Sequence, residues 1–269
     1  MDATALDRLV PAVLELARRA GAEILAVYAQ PIDVIAKADA SPLTIADLRS
    51  HQLIVEGLTK LTPELPVLSE ESNEIPFAER SQWRTYWLVD PLDGTKEFLA
   101  RNGEFTVNIA LIHDHVPIFG AVYVPAKDVL YWGGRTTAFR QDPNGTRSQI
   151  RVCARAPATL RIVGSRSHAS DTLAKVLPRL GSHELVQIGS SLKLCLIAEG
   201  RADVYPRFGP TSEWDIAAAQ AVIEGAGGKV LDATGSELRY NLKPSVLNPY
   251  FVAFGDASRD WIGLLFRSN

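Results

Sequence analysis

The sequence predicts an α+β half followed by an α/β half, with a ligand cleft between them. Three observations carry that expectation. Residues 3–61 read mainly as two helices, residues 66–152 as short strands separated by turn residues, and beyond about residue 156 strands and helices alternate. At 269 residues and 46% hydrophobic, the chain holds enough apolar material for one large core or two layered subdomains. The boundary is expected near residue 155, giving an N-terminal unit over 1–155 and a C-terminal unit over 156–269. No repeat of 20 to 50 residues and no low-complexity segment interrupts this pattern.

Ala3 to Tyr28 place Leu6, Leu9, Val10, Val13, Leu16, Ala17, Ala20, Ile24 and Val27 at helical spacing, the pattern of an amphipathic helix over a core. Ile32 to Ala36 read as a short strand. The turn Ser41-Pro42-Leu43 then leads into a helix from about Thr44 to Leu61. Pro66 to Glu71 form an apolar strand that ends in two adjacent acids, and Asn73 to Arg84 read as a polar loop or flap. Tyr86 to Val89 are a buried strand, followed by a turn and a short helix from Thr95 to Arg101. Phe105 to Ile112 and Pro117 to Val124 pair across His113-Asp114-His115. A His-x-His pair suits a metal, but no third nitrogen or sulfur ligand is near, so a solvated turn is expected. Val129 to Trp132, Thr137 to Arg140 and Ser148 to Val152 continue the meander, with Gly133-Gly134 and Pro143-Asn144-Gly145 as turns.

In the second half the expected strands are Arg161–Gly164, Glu184–Ile188, Asp203–Tyr205, Gly228–Leu231 and Tyr250–Phe254. The expected helices are Ser170–Leu180, Ser190–Glu199, Glu213–Glu224 and Ala257–Phe266.

Composition narrows the function. Lys and Arg number 28 against 31 Asp and Glu, a net charge of −3, so no basic surplus points to nucleic acid. No run of 18 apolar residues and no signal-peptide pattern appears, which makes the cytoplasm the default expectation. Cys153 and Cys195 lie far apart, outside any Cys-x-x-Cys spacing, and are expected as reduced thiols.

The chemistry concentrates in Asp90-Pro91-Leu92-Asp93-Gly94-Thr95. Two carboxylates three residues apart are expected on one side of a turn stiffened by Pro91. Gly94 lets a ligand approach the backbone, and Thr95 offers a hydroxyl and an amide at a helix N-terminus, where an anion is favoured. Three more acids fall where elements begin or end: Asp47 in a first helical turn, Glu70 or its neighbour Glu71 at a strand end, and Asp215 after Trp214. Each also suits an ordinary structural role, helix-end electrostatics for Asp47 and Asp215 and a solvated loop start for the pair. Five converging carboxylates would repel one another unless cations neutralise them, and all-oxygen ligation selects Mg²⁺ over zinc. Ser190-x-x-Lys193 matches the spacing of a serine acyl-enzyme, but its partner motifs are missing; a serine-capped helix end with a lysine can instead hold an anion.

These residues resemble the lithium-sensitive, magnesium-dependent phosphatase superfamily of inositol monophosphatases and fructose-1,6-bisphosphatases. The shared motifs are Glu70-Glu71, Asp90 to Thr95, and Trp214-Asp215, in that order. The chain is most similar to the bacterial CysQ-type branch of 3'(2'),5'-bisphosphate nucleotidases. That likeness rests on Lys37-Ala38-Asp39 to Asp47, Leu68 to Glu71, Trp87 to Ala110, Ser165-Arg166-Ser167-His168, Gly189 to Lys193, and Tyr205 to Thr211.

The resemblance implies a layered αβαβα fold with the active site between two subdomains. It implies that Glu70, Asp90 and the Leu92 carbonyl hold one magnesium, that Asp90, Asp93 and Asp215 hold a second, and that a third, weaker ion leans on Glu70 and waters. It also favours Glu70 over Glu71. Asp47 would accept from the Thr95 hydroxyl, and this pair would orient the attacking water, with Glu70 the third catalytic residue. The Gly94 and Thr95 amides would hold the scissile phosphate. Ser190, Lys193 and Arg207 would hold a second phosphate, with Ser167 and His168 on the adenosine side.

The implied reaction removes the 3'-phosphate of adenosine 3',5'-bisphosphate, and 3'-phosphoadenylyl sulfate is a second candidate substrate, both in sulfur assimilation. The expected partner is a small nucleotide, with no nucleic acid and no integral membrane segment. A monomer or homodimer is expected, with peripheral contact at the inner face of the cell membrane left open. Two other readings are an inositol or sugar phosphatase with the same metal core, and a nucleotide-binding regulator without turnover.

Overall fold

The computed structural model describes residues 3–31, 34–36, 42–134, 136–167 and 171–267. Lys37-Ala38-Asp39, His168, and the start of the strand expected from Ile32 lie outside them. The periodic N-terminal stretch is helix α1 (Ala3–Tyr28), with Val13, Ala17, Ala20 and Ile24 fully buried. Strands β1 (Ile35–Ala36) and β2 (Pro42–Leu43) form a small antiparallel pair before α2 (Ile45–Leu61), whose N-cap Thr44 accepts from the Ala46 amide. Next come β3 (Val67–Ser69), α3 (Phe77–Arg80), β4 (Thr85–Asp93) and α4 (Thr95–Leu99). The meander is β5 (Thr106–His113), β6 (Val116–Val124), β7 (Val129–Gly134), β8 (Thr137–Gln141) and β9 (Arg147–Gln149).

Among the described residues, β3 to β9 make one seven-stranded sheet in sequence order, antiparallel except for the parallel β3–β4 pair. Both faces are covered. Trp87, Val89, Ile109 and Leu111 point into the core under α1 and α2, while the alternating Tyr86, Leu88, Ala110 and Ile112 point to the opposite core.

The second half supplies β10 (Leu160–Ser165), α5 (Asp171–Val176), β11 (His183–Ile188), α6 (Leu192–Ala198), β12 (Val204–Arg207), α7 (Glu213–Gly225), β13 (Lys229–Asp232), β14 (Phe251–Phe254) and α8 (Trp261–Phe266). Among the described residues its five strands run in the order β11-β10-β12-β14-β13. α6 and α7 lie between the two sheets and share one core with both of them. Leu160, Ile162, Val204 and Phe254 on the far face pack with Val176 of α5 and with Trp261 and Leu265 of α8. The layers therefore read αβαβα. Glycine permits the closest approach: a Cβ on Gly120 would stand 2.0 Å from the Ala218 carbonyl of α7.

Several elements depart from expectation. Asp90 to Asp93 are not a free turn but the end of β4, because β5 continues to pair with them. Gly133 and Gly134 end β7 rather than forming a turn. There a Cβ on Gly134 would meet the Ile118 carbonyl at 2.2 Å, so packing rather than a bend calls for glycine. The polar stretch 73–84 contains the helical turn α3. The helix expected to start at Ser190 begins at Leu192, since Ser190 takes a positive φ of 49°. α4 ends at Leu99, with Arg101 at φ 53°. α8 starts at Trp261 rather than Ala257, and the last meander strand covers Arg147–Gln149 rather than Ser148 to Val152. Among the described residues no helix is long and apolar enough to cross a membrane.

Candidate active site

The site begins with a bulge. Asp90 pairs with Asn108 and Asp93 with Thr106, so β4 spends one more residue than β5 over the same span. The extra residue bends the strand and turns both carboxylates toward one cleft, and the Ser50 hydroxyl of α2 pins the bulge by donating to the Pro91 carbonyl at 2.7 Å. Gly94 follows at φ 91°, a left-handed conformation that glycine takes without strain, and α4 starts at Thr95.

The cleft, about 260 Å³ in volume, is lined by Glu70, Asp90, Leu92, Asp93, Gly94 and Thr95 from the first half and by Ser190, Lys193, Arg207 and Asp215 from the second. Glu70 reaches it from the end of β3, where its amide donates to the Val89 carbonyl at 3.1 Å; Glu71 does not line it. Asp215 sits in the first turn of α7, where one carboxylate oxygen accepts from the Ser212 amide at 2.9 Å in a capping box. Asp47 performs the same service for α2, accepting from the Thr44 amide at 2.8 Å and hydroxyl at 2.7 Å. Its second oxygen accepts from the Thr95 hydroxyl at 3.3 Å.

Burial together with Glu70, Asp93 and Asp215 holds the Asp90 carboxyl well above the usual carboxylate range. Burial, Asp93 and Glu70 do the same to Asp215. Burial also raises Asp93, but Lys193 and the Ser191 amide oppose the rise. Asp93 accepts from the Ser191 amide at 2.5 Å and from Asn108 Nδ2 at 3.2 Å. A set of oxygen donors this costly to ionise fits a hard divalent cation. Among the described residues no three such side chains are already drawn into a closed cluster, although the acids line one cleft.

The same cleft holds two buried cations. Lys193, 6% exposed, donates to the Ser190 carbonyl at 2.6 Å and stands 5.6 Å from the Tyr205 ring centre. Burial pushes its ammonium down to about 8, with Asp93 pulling the other way. Arg207, 7% exposed, donates to the Gly209 and Pro210 carbonyls at 3.2 and 2.7 Å. Ser167 is exposed and does not line the cleft, but its hydroxyl donates to Glu97, which does. His113 and His115 bond to Thr85 and to the Tyr240 carbonyl, far from the cleft lining.

Three cleft features escape the sequence reading. Asn108 and Thr106 supply hydrogen bonds to Asp93; their signal is two buried polar residues at alternate positions of an apolar strand. Ser191, rather than Ser190, touches a carboxylate. Glu97 is a buried cleft acid in a helix too short to show a polar face.

The five layers and a cleft that gathers carboxylates with two buried cations suit a phosphomonoesterase of αβαβα architecture. The chain belongs to the inositol monophosphatase family, whose profile matches residues 5–254. It is 52% identical over 241 residues to the 3'(2'),5'-bisphosphate nucleotidase CysQ of Escherichia coli, covering 89% of this chain and 96% of that one. It superposes on the crystal structure of CysQ from Bacteroides thetaiotaomicron with a TM-score of 0.79 at 42% identity, over 93% and 97% of the two chains. The extragenic suppressor protein suhB of Bartonella henselae gives a TM-score of 0.80 at 25% identity, over 97% and 99%.

Proposed function

We propose that this protein removes the 3'-phosphate of adenosine 3',5'-bisphosphate, giving AMP and phosphate, with 3'-phosphoadenylyl sulfate as a second substrate. The reaction would serve sulfur assimilation in the cytoplasm. The observation that carries this reading is the pair of buried cations, Lys193 and Arg207, in the same cleft as the carboxylates. A monophosphate substrate leaves them without an anion to hold; a second, non-reacting phosphate suits them. The half-identical CysQ relatives support the same substrate class.

In this reading Glu70, Asp90 and the Leu92 carbonyl would hold one magnesium ion, and Asp90, Asp93 and Asp215 a second, with Glu70 also serving a weaker third. Magnesium, when bound, neutralises the carboxylates and supplies Lewis acidity for an in-line phosphoryl transfer. The amides of Gly94 and Thr95 hold the scissile phosphate. Asp47 fixes the Thr95 hydroxyl by accepting its proton in a hydrogen bond, which leaves the Thr95 oxygen to accept from the attacking water. Ser190, Lys193 and Arg207 take the 5'-phosphate, and Ser167 is assigned to the nucleoside side; His168, given the same role by the resemblance, lies outside the described residues.

The test is phosphate release, with magnesium, from adenosine 3',5'-bisphosphate and inositol 1-phosphate in parallel, with the nucleotide product identified. Preference for the nucleotide with 5'-AMP formed is the expected result. A preference for the inositol ester would overturn the substrate and the role given to Lys193 and Arg207.

A further inference from the structure

Residues 241–248 belong to neither sheet and run along the outside of the molecule, with Leu242 and Leu247 exposed at 55% and 47%. A segment that leaves its leucines in water is not there to fill a core. Its polar ties run instead to the residues that lead into α7. The Asn241 amide donates to Glu213 Oε2 at 2.9 Å, and the Glu213 amide donates to the Val246 carbonyl at 2.8 Å. The Asn248 amide donates to the Thr211 carbonyl at 2.8 Å, and its side-chain Nδ2 donates to the Ser212 carbonyl at 2.8 Å. Ser212 and Leu247 also form an isolated antiparallel bridge.

We infer that this segment is a strap that positions Asp215, with Asn248 and Arg80 as its positioning residues; the inference rests on the phosphatase reading above. Ser212 is held from both sides. Its carbonyl accepts from Asn248, and its amide donates to the Asp215 carboxylate at 2.9 Å, so a displacement of Ser212 displaces the acid. Arg80 anchors the far end of the strap from α3. Buried to 3% exposure, it donates to the Asn241 side chain and to the Lys243 and Pro244 carbonyls, and its own carbonyl accepts from Asn241 Nδ2 at 2.5 Å. Thr211 and Ser212, which Asn248 ties, directly follow Gly209 and Pro210, whose carbonyls hold Arg207. The strap therefore ties the short segment that links the carbonyls holding Arg207 to the helix carrying Asp215.

Groups that orient metal-binding side chains without touching the metal commonly account for ten-fold or more of the affinity. Thermal unfolding of the magnesium-free protein, repeated over a magnesium titration, gives the concentration above which Tm begins to climb with the logarithm of magnesium, a measure of affinity. In Asn248→Ala and in Arg80→Lys, which keeps the charge but loses the fork, that concentration is expected to rise about ten-fold. With saturating magnesium, kcat on adenosine 3',5'-bisphosphate should return to within about two-fold of the parent. A merely structural strap would lower the metal-free Tm and leave that onset concentration where it was, and that result overturns the inference. The two readings fail separately. If the parent protein releases no phosphate from the nucleotide, the substrate assignment falls, while the unfolding titration still decides the strap.

Discussion

Thr95 and Asp47 meet at 3.3 Å through one carboxylate oxygen, while the other oxygen of Asp47 is taken by Thr44 at 2.7 and 2.8 Å. One side chain thus caps a helix and holds the hydroxyl of Thr95, the residue to which the proposed mechanism gives the attacking water. Thr95→Ala leaves the cap intact and is expected to lower kcat about 10²- to 10⁴-fold, the usual range for a lost proton-transfer partner. Asp47→Ala should lower kcat similarly and also cost about 1 kcal/mol of stability through the cap. Steady-state kinetics and thermal unfolding separate the two effects. A kcat within ten-fold of the parent in Thr95→Ala would remove the pair from the proton path.

Lys193→Met and Arg207→Ala should discriminate between substrates. A buried charge-assisted hydrogen bond is worth about 1.5–3 kcal/mol, so KM for adenosine 3',5'-bisphosphate should rise about 10- to 100-fold in each. KM for a substrate with a single phosphate should barely move. Equal losses on both substrates would place these cations in the shared chemistry instead.

The pH dependence follows from Lys193. Burial brings its ammonium down to about 8, so it is charged below that pH and neutral above it. KM for the bisphosphate is expected to climb as pH passes through about 8, and Lys193→Met should flatten the rise. A parallel rise in the variant would assign the titration elsewhere.

Removing magnesium should also have a pH signature. Asp90 and Asp215 hold their protons above the ordinary carboxylate range when no cation balances them. The native state then binds more protons than the unfolded chain, and stability falls as pH rises above the unfolded carboxylate range. Bound magnesium favours the ionised form, so the gain in Tm on adding it should be larger at pH 8 than at pH 5.5. A gain independent of pH would argue against these carboxylates as its ligands.

Gly120→Ala tests how the layers hold the site. The added methyl would stand 2.0 Å from the Ala218 carbonyl, a backbone atom that cannot rotate away. α7 must then lift from β6 at a cost of about 1–3 kcal/mol, or several degrees of Tm. Because α7 carries Asp215, magnesium affinity should fall too. An unchanged Tm would show that the sheet yields rather than the helix.

The long periodic elements and the residues at their ends were legible in the sequence because local patterning determines both. α1 declares itself by its 3.6-residue stripe, and Asp90 to Thr95 by an unusual density of constrained and charged residues. What stayed hidden depends on neighbours distant in the chain. Asp-Pro-Leu-Asp-Gly has the composition of a turn, and only the partner strand keeps Asp90 to Asp93 in the sheet. Gly133-Gly134 likewise has turn composition, yet these glycines end a strand where the backbone of β6 comes close. The hydrogen bonds from Asn108 and Ser191 to Asp93 cross 15 and 98 residues of chain, a span that no local window covers.

The bulge between Asp90 and Asp93 also bears on how such a chain can change length. Strand side chains alternate, so one residue gained or lost within β4 would turn Tyr86 to Val89 onto the wrong faces of a sheet buried on both sides. Insertions and deletions are therefore barred from the spacing that sets the two acids. The exposed turn at Asn144-Gly145, away from the cleft, is instead where the chain can lengthen at little cost.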